Sequence, residues 1–411
     1  MAKLVAKFGG TSVADIKRIE HAADKIKREV DAGHQVAVVV SAMSGVTNQL
    51  IEFCSDINSL YDTREYDSIV SSGEQVTAGL MALALQKRGI AARSWLGWQV
   101  PILCSDLHGR ARIIDIDAVE INKRIEQNEV AVLAGFQGIT QVGRIATLGR
   151  GGSDTTAVAL AAAIGADRCD IYTDVEGVYT TDPRIVPAAR KLKAVSYEEM
   201  LEMASLGAKV LQTRSVEMAF KHEVPVQVLS SFGDAIGSDL PGTMVVNEEE
   251  IMEEHVVNGI TYSGDDAKIT LLKLRDIPGI AAKVFTPLAM ANVNVDMIVQ
   301  NISTDGQLTD MTFTVPRGDV ERAISVLKAA EELKGAEIIS STDVAKISVV
   351  GIGMRSHAGV AQKMFETLAE KGINIQVIST SEIKISVLIA EEYSELAVRT
   401  LHSAYGLEKP L

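Results

Sequence analysis

The sequence repeats itself in its C-terminal part, and this repeat constrains the fold more than any other feature. When the 411-residue sequence is shifted by 80 positions without gaps, eight identical pairs align within 20 positions. Each copy has the pattern of a strand, a helix, two strands and a second helix. A βαββαβ unit that occurs twice predicts two ferredoxin-like domains that pack edge to edge. The eight pairs are Gly279/Gly359, Ala281/Ala361, Lys283/Lys363, Phe285/Phe365, Leu288/Leu368, Ala289/Ala369, Asn294/Asn374 and Ile298/Ile378.

The first 246 residues have a different pattern, in which short apolar strands alternate with longer helices. Residues 36–40 form a Val-rich run that is typical of a parallel strand buried on both faces. Similar runs at residues 4–8, 130–134 and 170–173 predict a three-layer α/β domain with a mainly parallel sheet. The predicted boundaries are 1–246 for this domain, 247–262 for a Glu-rich linker, and 263–342 and 343–411 for the two repeated domains.

The charge and the cysteine content exclude several classes of function. The formal net charge is −14, so the chain has no excess of cations with which to neutralise nucleic-acid phosphates. Cys54, Cys104 and Cys169 are isolated, which predicts neither a zinc site nor a disulfide framework. No apolar run approaches the ~20 residues of a membrane span, and the N-terminus opens into a strand rather than a signal peptide. We therefore expect a cytoplasmic protein that binds neither nucleic acid nor membrane and has no protein-held metal site.

Turns rich in glycine and polar residues follow the predicted strands, where ligands gather in open α/β sheets. Lys7 comes just before a Gly-Gly pair at residues 9–10. Glycines there let backbone N–H groups approach phosphate oxygens, although a lysine that precedes them does not make a Walker A loop. A second turn at residues 149–156 leads into an Ala-rich helix, and a third polar cluster spans residues 173–184. Taken alone, the Gly-Gly pair is explained equally well by a tight turn.

Six strings give these turns a common interpretation: KFGGTS, VVSAMSGVTN, SSGE, LGRGGSDTTA, YTDVEGVYTTDPR and GAKVLQ. In this order they resemble the aspartate kinases of the amino acid kinase family over about the first 215 residues. The tandem C-terminal repeats resemble ACT domains, so the resemblance covers nearly the whole chain. It implies phosphorylation of the β-carboxylate of L-aspartate by ATP, with Mg²⁺, to give 4-phospho-L-aspartate and ADP. That reaction is the first step towards lysine, threonine and methionine through the diaminopimelate route.

The resemblance assigns roles to individual residues. Lys7 and Lys209 would neutralise the charge of the transferring phosphoryl group, and Asp154 would hold these lysines or position Mg²⁺. Glu74 would accept the ammonium group of aspartate, and Arg150 would pair with its α-carboxylate. The remaining residues implied for aspartate are Ser41, Thr47, Gly151, Gly152 and Ser153. The residues implied for the nucleotide are Lys7, Phe8, Gly9, Gly10, Ser41, Thr173, Asp174, Tyr179, Asp182 and Arg184.

The ACT-like repeats imply feedback inhibition by lysine and threonine. In such pairs, small effectors bind where the loop after the first strand of one unit faces the second strand of another. In the first copy this implies Asp276, Asn294, Val295, Asp296 and Gln300; in the second, Met354, His357, Val360, Ala361, Asn374, Ile375, Ser381 and Glu382. Edge-to-edge ACT pairing also implies a homo-oligomer. Some relatives make an additional short regulatory subunit from an internal start, and Met244 and Met252 lie at the matching boundary.

Two kinds of alternative remain open. Acetylglutamate kinase, glutamate 5-kinase and UMP kinase share the fold, but KFGGTS, SSGE and the ACT-like tail favour aspartate. A non-catalytic amino-acid sensor is the second alternative, and the presence of Lys7, Asp154 and Lys209 disfavours it. Glu74 alone would equally suit the first turn of a helix, where acidic residues are favourable.

Overall fold

The computed structural model describes residues 1–207, 210–239, 241–251, 256–302 and 307–409. The chain divides into two compact units. The first unit comprises Met1–Val178, Lys191–Ala204 and Lys209–Met252. The second unit comprises Tyr179–Arg190, Ser205–Ala208 and Glu253–Leu411. No helix in the described ranges is both long enough and apolar enough to cross a lipid bilayer.

The elements up to residue 252 belong to the α/β part of the chain. The strands are β1 (Lys3–Phe8), β2 (Gln35–Val40), β3 (Ala92–Trp95), β4 (Ile102–Cys104), β5 (Ile113–Ile116), β6 (Val130–Ala134), β7 (Gln137–Thr140), β8 (Ile145–Thr147), β9 (Arg168–Thr173), β10 (Ala194–Ser196), β11 (Val226–Ser230) and β12 (Thr243–Val246). The helices are α1 (Ile16–Asp31), α2 (Val46–Ile57), α3 (Thr63–Val70), α4 (Ser72–Gln86), α5 (Val119–Glu126), α6 (Gly152–Ile164), α7 (Tyr197–Ser205) and α8 (Thr213–His222).

Eight of these strands form one sheet in the order β10-β12-β11-β9-β1-β2-β6-β3. Among the described strands of this sheet, all neighbours are parallel except β11 and β12. The prediction of a mainly parallel α/β sheet is therefore confirmed.

The main sheet is covered on both faces. Val36, Val38 and Val40 point to one side of β2 and pack in a cluster with α1 and α4. Ala37 and Val39 point to the opposite side because side chains alternate along a strand, and they are equally buried. Helix α6 packs on β1, β2 and β9, and its many alanines allow a close approach to the sheet. Burial on both faces explains why β2 reads as a continuous apolar run.

A smaller sheet was not predicted from the sequence. It has the order β5-β4-β7-β8, and its strands are only three or four residues long. Strands this short carry too few residues for an alternating pattern to be recognised. The sheet matters for the site because β8 ends at Thr147, just before the second glycine turn.

The second unit contains two further four-stranded sheets. Its strands are β13 (Gly259–Ser263), β14 (Asp266–Arg275), β15 (Asp296–Ile302), β16 (Leu308–Pro316), β17 (Glu337–Ser341), β18 (Val344–Val350), β19 (Val377–Thr380) and β20 (Lys384–Ala390). Its helices are α9 (Ile280–Met290), α10 (Val320–Ala329), α11 (Val360–Glu370) and α12 (Ser394–Ala404). The sheets have the orders β15-β16-β14-β17 and β13-β18-β20-β19. The first of the two predicted βαββαβ domains is therefore present in full, and the second is present up to its last helix.

The second of these domains departs from the predicted organisation. Strand β13 lies before the first domain in sequence, yet it pairs antiparallel with β18 of the second domain, with Gly259 opposite Val350 and Ser263 opposite Lys346. It takes the place of the final strand of the second repeat, because no strand follows α12 in the described chain up to residue 409. The predicted linker over 247–262 is thus wrong at its C-terminal end, where the edge of β18 requires a hydrogen-bonding partner.

The segment Tyr179–Arg190, which we predicted to lie in the first domain, belongs to the second unit. Ile185 and Val186 are buried in the apolar cluster of the second βαββαβ domain. Thr180 is fully buried, and its hydroxyl lies 2.9 Å from Nε2 of His402 in α12. Apolar side chains at residues 185–186 are better buried there than exposed on a turn.

Candidate active site

Three neighbouring parallel strands, β9, β1 and β2, end at the same edge of the main sheet. Gly9 follows β1 and donates its N–H to the carbonyl of Tyr172 in β9 at 3.3 Å. Ser41 follows β2 and donates its N–H to the carbonyl of Phe8 at 3.1 Å. These bonds bring together Phe8, Gly9 and Ser41, all predicted for the nucleotide, and Gly10, also predicted for it, follows Gly9 directly.

Lys7 lies near the end of β1 and forms an ion pair with Asp154. Asp154 is in the first turn of α6, where the helix dipole favours a carboxylate. The side chains of Lys7 and Asp154 are only 9% and 11% exposed, so their charges interact where water screens them little. The structure thus joins two of the three predicted catalytic residues. The third, Lys209, lies outside the described residues.

The second glycine turn lies immediately before α6. Gly151 has φ 69°, and a Cβ there would lie 2.1 Å from Cγ of Gln212, so only glycine fits. A Cβ on Gly135, the residue after β6, would lie 2.8 Å from the side chain of Ser153. This close approach places Ser153 at the carboxyl end of β6, the neighbour of β2 in the sheet. Arg150 is exposed at the tip of the turn.

Glu74 is a buried carboxylate at the start of α4 and is only 4% exposed. Its Oε1 accepts a hydrogen bond from the N–H of Ala42 at 3.1 Å, which ties it to the segment that follows β2. Its Oε2 has no hydrogen-bond partner among the residues that the structure describes. Burial raises the pKa of Glu74 to about 7, and the bond from Ala42 offsets only part of this effect. A cationic ligand group would stabilise the ionised form.

The other predicted residues of the first unit flank this arrangement. Thr47 is half buried in the first turn of α2, which follows β2. Thr173 ends β9, and its hydroxyl donates to a carboxylate oxygen of Asp174 at 3.2 Å. The carbonyl of Thr173 accepts the N–H of Ser231 at 2.8 Å. This end of β9 is therefore held in place by its neighbour β11.

Tyr179, Asp182 and Arg184 belong to the second unit and are described apart from the residues above. The guanidinium of Arg184 lies 2.7 Å from a carboxylate oxygen of Asp182, and the N–H of Arg184 donates to the same carboxylate at 2.9 Å. These hydrogen bonds lower the pKa of Asp182 below its usual value. The side chain of Arg184 is 87% exposed.

The predicted effector residues lie in the expected loops and strands of the two βαββαβ domains. Asp276 follows β14, and Asn294 and Val295 precede β15, which contains Asp296 and Gln300. In the second domain Met354 and His357 lie between β18 and α11, and Val360 and Ala361 open α11. Asn374 and Ile375 precede β19, and Ser381 and Glu382 connect β19 to β20.

One of these residues has a partner that the sequence analysis missed. Asp296 lies 2.9 Å from Nζ of Lys346, which also contacts Asp266 at 3.2 Å. Burial opposes ionisation of Asp296, yet Lys346 outweighs it and holds the pKa of Asp296 below its usual value. The sequence did indicate such a pair, because Lys346 interrupts the otherwise mainly apolar strand β18. A lysine is almost never buried unless it is paired.

A second missed group surrounds Asp67 in α3, which is fully buried. Its carboxylate accepts hydrogen bonds from His108 and Thr147. No sequence pattern indicated this residue, because α3 otherwise has the mixed polarity of a surface helix.

No group of three or more His, Cys, Asp or Glu residues in the described ranges is arranged to hold a metal ion. Cys54, Cys104 and Cys169 are buried and free.

Comparison with known proteins gives a consistent result over the whole chain. Residues 2–230 match the amino acid kinase family, and residues 268–334 and 347–405 match ACT domains. The chain is 54% identical to the aspartate kinase of Pseudomonas putida, over all of this chain and 99% of that protein. It is 55% identical to aspartate kinase Ask_LysC of Stutzerimonas stutzeri, over 100% and 98% of the two chains.

The fold agrees with that of a solved relative. The crystal structure of E. coli aspartokinase III in complex with aspartate and ADP matches with a TM-score of 0.80 and 28% identity, covering 98% of this chain and 99% of that one. The likeness therefore extends over nearly the whole length of both chains. An α/β kinase domain, two ACT domains and full-length identity above 50% together show that the chain belongs to the aspartate kinases of the amino acid kinase family.

Proposed function

We propose that the protein transfers the γ-phosphoryl group of ATP to the β-carboxylate of L-aspartate, giving 4-phospho-L-aspartate and ADP. The observation that carries this proposal is the convergence of the Lys7–Asp154 ion pair and the buried Glu74 on one edge of the main sheet. A buried lysine suits a phosphoryl group in transfer, and a buried carboxylate with one unpartnered oxygen suits an ammonium group. Arg150, exposed at the glycine turn, would bind the α-carboxylate of aspartate.

The chemistry requires positioning and charge stabilisation more than proton transfer. A β-carboxylate oxygen of aspartate attacks the γ-phosphorus, the bond from this phosphorus to the bridging oxygen breaks, and ADP leaves with the electron pair. No general base is needed, because an aspartate carboxyl with a pKa of about 3.9 is ionised at neutral pH. Lys7 neutralises charge on the transferring group while Asp154 orients Lys7, and Lys209 would supply a second cation.

The nucleotide would bind along the ends of β1 and β9. Without side chains, Gly9 and Gly10 allow its phosphates to approach the backbone closely, and Thr173 and Asp174 suit the ribose and outer phosphates. Tyr179, Asp182 and Arg184 are proposed to complete nucleotide binding. Mg²⁺ would enter with the phosphates, as is usual for this ion, and the carboxylate of Asp154 is of the kind that it accepts. When bound, it would neutralise phosphate charge.

Regulation and compartment are part of the same proposal. Lysine and threonine, products of the pathway that this reaction would open, are proposed to inhibit the enzyme through its ACT domains, within a homo-oligomer. A short regulatory subunit started internally remains a proposal as well. The three buried free cysteines support a reducing compartment such as the cytoplasm.

A substrate panel tests the proposal. ADP release is measured with aspartate, glutamate, N-acetylglutamate and UMP as acceptors, and hydroxylamine is added to trap an acyl phosphate as its hydroxamate. We expect ADP release with aspartate alone and one hydroxamate per ADP. Equal turnover with another acceptor, or ADP release without hydroxamate, would contradict the proposed substrate or the proposed product.

A further inference from the structure

The buried carboxylate of Asp67 lies outside the predicted site but is hydrogen-bonded to β8, the strand that leads into that site. It accepts hydrogen bonds from Nδ1 of His108 at 2.7 Å, from the N–H of Gly109 at 3.1 Å and from the hydroxyl of Thr147 at 2.5 Å. Thr147 is the last residue of β8. A fully buried carboxylate is stable only when its oxygens are satisfied, so this cluster is held together strongly.

The same cluster contacts the glycine turn itself. Gly149 has φ 76°, and a Cβ there would lie 3.0 Å from the carbonyl oxygen of Gly109. The N–H of Ala111 donates to the carbonyl of Thr147 at 2.8 Å. The loop that contains His108 and Gly109 therefore lies directly against the beginning of the turn.

Arg214 in α8 holds the turn from the other side. Its guanidinium donates to the carbonyl of Leu148 and, at 2.8 Å, to the carbonyl of Ala111. The side chain of Gln212, just before α8, lies against Gly151. The planar guanidinium of Arg214 thus connects α8 to the end of β8 and to the loop before β5. The single ammonium group of a lysine would bind these two carbonyl groups less well.

We infer that Asp67 and Arg214 are positioning residues for aspartate phosphorylation. Together they fix the backbone of Thr147 and Leu148, directly before the turn that presents Arg150 and leads to Asp154. Gly149 and Gly151 both have a positive φ, and glycine has little conformational preference of its own. The geometry of the turn therefore depends on the hydrogen bonds that hold its ends. A misplacement of about 1 Å at a reacting centre lowers turnover by about 100-fold. The inference rests on the proposed function, because it assumes that Arg150 binds aspartate.

The test compares three variants, Arg214→Met, Arg214→Lys and Asp67→Asn, with the control Arg112→Met. The control removes an exposed arginine from the loop before β5. Steady-state constants are measured for aspartate and ATP separately, and the folded fraction is measured by circular dichroism. For Arg214→Met and Asp67→Asn we expect kcat/KM for aspartate to fall by about tenfold or more, with KM for ATP within about twofold of wild type. Arg214→Lys should lie between Arg214→Met and the wild type, and Arg112→Met should behave as wild type.

Chemical rescue separates positioning from a merely structural role. Guanidinium ion at low millimolar concentration should restore part of the aspartate kcat/KM of Arg214→Ala, but not that of Lys7→Ala. If activity instead falls only in proportion to the folded fraction, with both KM values unchanged, the inference is wrong. The wild type is assayed first, so absence of aspartate-dependent ADP release would contradict the proposed function. If the wild type phosphorylates aspartate and both Arg214→Met and Asp67→Asn have wild-type kinetic constants, only this inference is contradicted.

Discussion

Lys7 and Asp154 form a buried ion pair, and this pairing determines what a substitution at Lys7 does. Lys7→Ala removes the positive charge that we propose acts on the phosphoryl group and also leaves Asp154 buried without its partner. We expect kcat to fall by at least ~100-fold, together with a lower melting temperature. Lys7→Ala/Asp154→Asn should regain stability but not activity. The control is Lys17→Ala, which removes an exposed lysine from α1. Normal turnover of Lys7→Ala would show that Lys7 has no part in the mechanism.

Glu74 combines its proposed role in binding aspartate with a cost in the stability of the folded state. Burial raises the pKa of Glu74 from 4.5 to about 7, so between these pH values the folded protein retains a proton that the unfolded chain releases. The folded state therefore loses stability as pH rises through this window. We expect Glu74→Gln without ligand to melt at a higher temperature than wild type at pH 8, and the difference to vanish near pH 4.5.

The same substitution should raise KM for aspartate and leave KM for ATP nearly unchanged. In the wild type, kcat/KM for aspartate should fall as pH drops below about 7, because a protonated Glu74 no longer attracts an ammonium group. Glu126→Gln, at an exposed position on α5, should show neither effect. A selective increase in KM for ATP would mean that Glu74 contacts the nucleotide instead.

Among the elements, the turn before α6 depends on two properties of Gly151, its positive φ and the lack of space beside it. Gly151→Ala should raise KM for aspartate at least about tenfold, because Gln212 must move away from the turn. Gly143→Ala is a matched control: Gly143 has φ 78° in the β7–β8 turn, with nothing within 4 Å of an added Cβ. It should lose only the roughly 1–2 kcal/mol of left-handed strain. Equal kinetic effects of the two changes would argue against a specific role for Gly151.

Some helices and strands could be predicted from the sequence, and others could not. The parallel core was predictable because strands such as β2 are apolar on both faces, and the repeat revealed the βαββαβ domains through their shared glycine and core positions. Strand β13 was not predictable, because pairing between strands distant in sequence leaves no local pattern. The candidate site was predicted from its glycine turns. The supports of those turns, Asp67 and Arg214, were missed because a buried hydrogen bond depends on three-dimensional neighbours.

For the whole molecule, two diverged ACT domains on one kinase predict control by two effectors. Each effector must bind the inactive arrangement more tightly than the active one, and couplings of about 1–3 kcal/mol are typical. In a matrix of lysine against threonine concentrations, we expect joint inhibition stronger than the product of the separate effects. Purely additive or absent inhibition of the wild type would contradict concerted control.

Gln300→Ala should relieve inhibition without lowering basal activity, since Gln300 is exposed on β15. Asp296 is a poorer choice for this test because its carboxylate is paired with Lys346. Glu321→Ala on α10 is the control and should leave inhibition unchanged. A loss of basal activity in Gln300→Ala would show that the residue supports the fold.

The pairing of β13 with β18 has a consequence for the order of folding. The two strands are separated by about 80 residues, a loop that is costly to close when the chain between them is disordered. Once the first ACT domain folds, it replaces most of that loop with a compact body whose two ends are neighbouring strands. Nucleation of the second ACT domain then becomes a nearly local event with a low effective contact order. During synthesis, β13 therefore emerges before the first ACT domain and remains without its partner until β18 has been made.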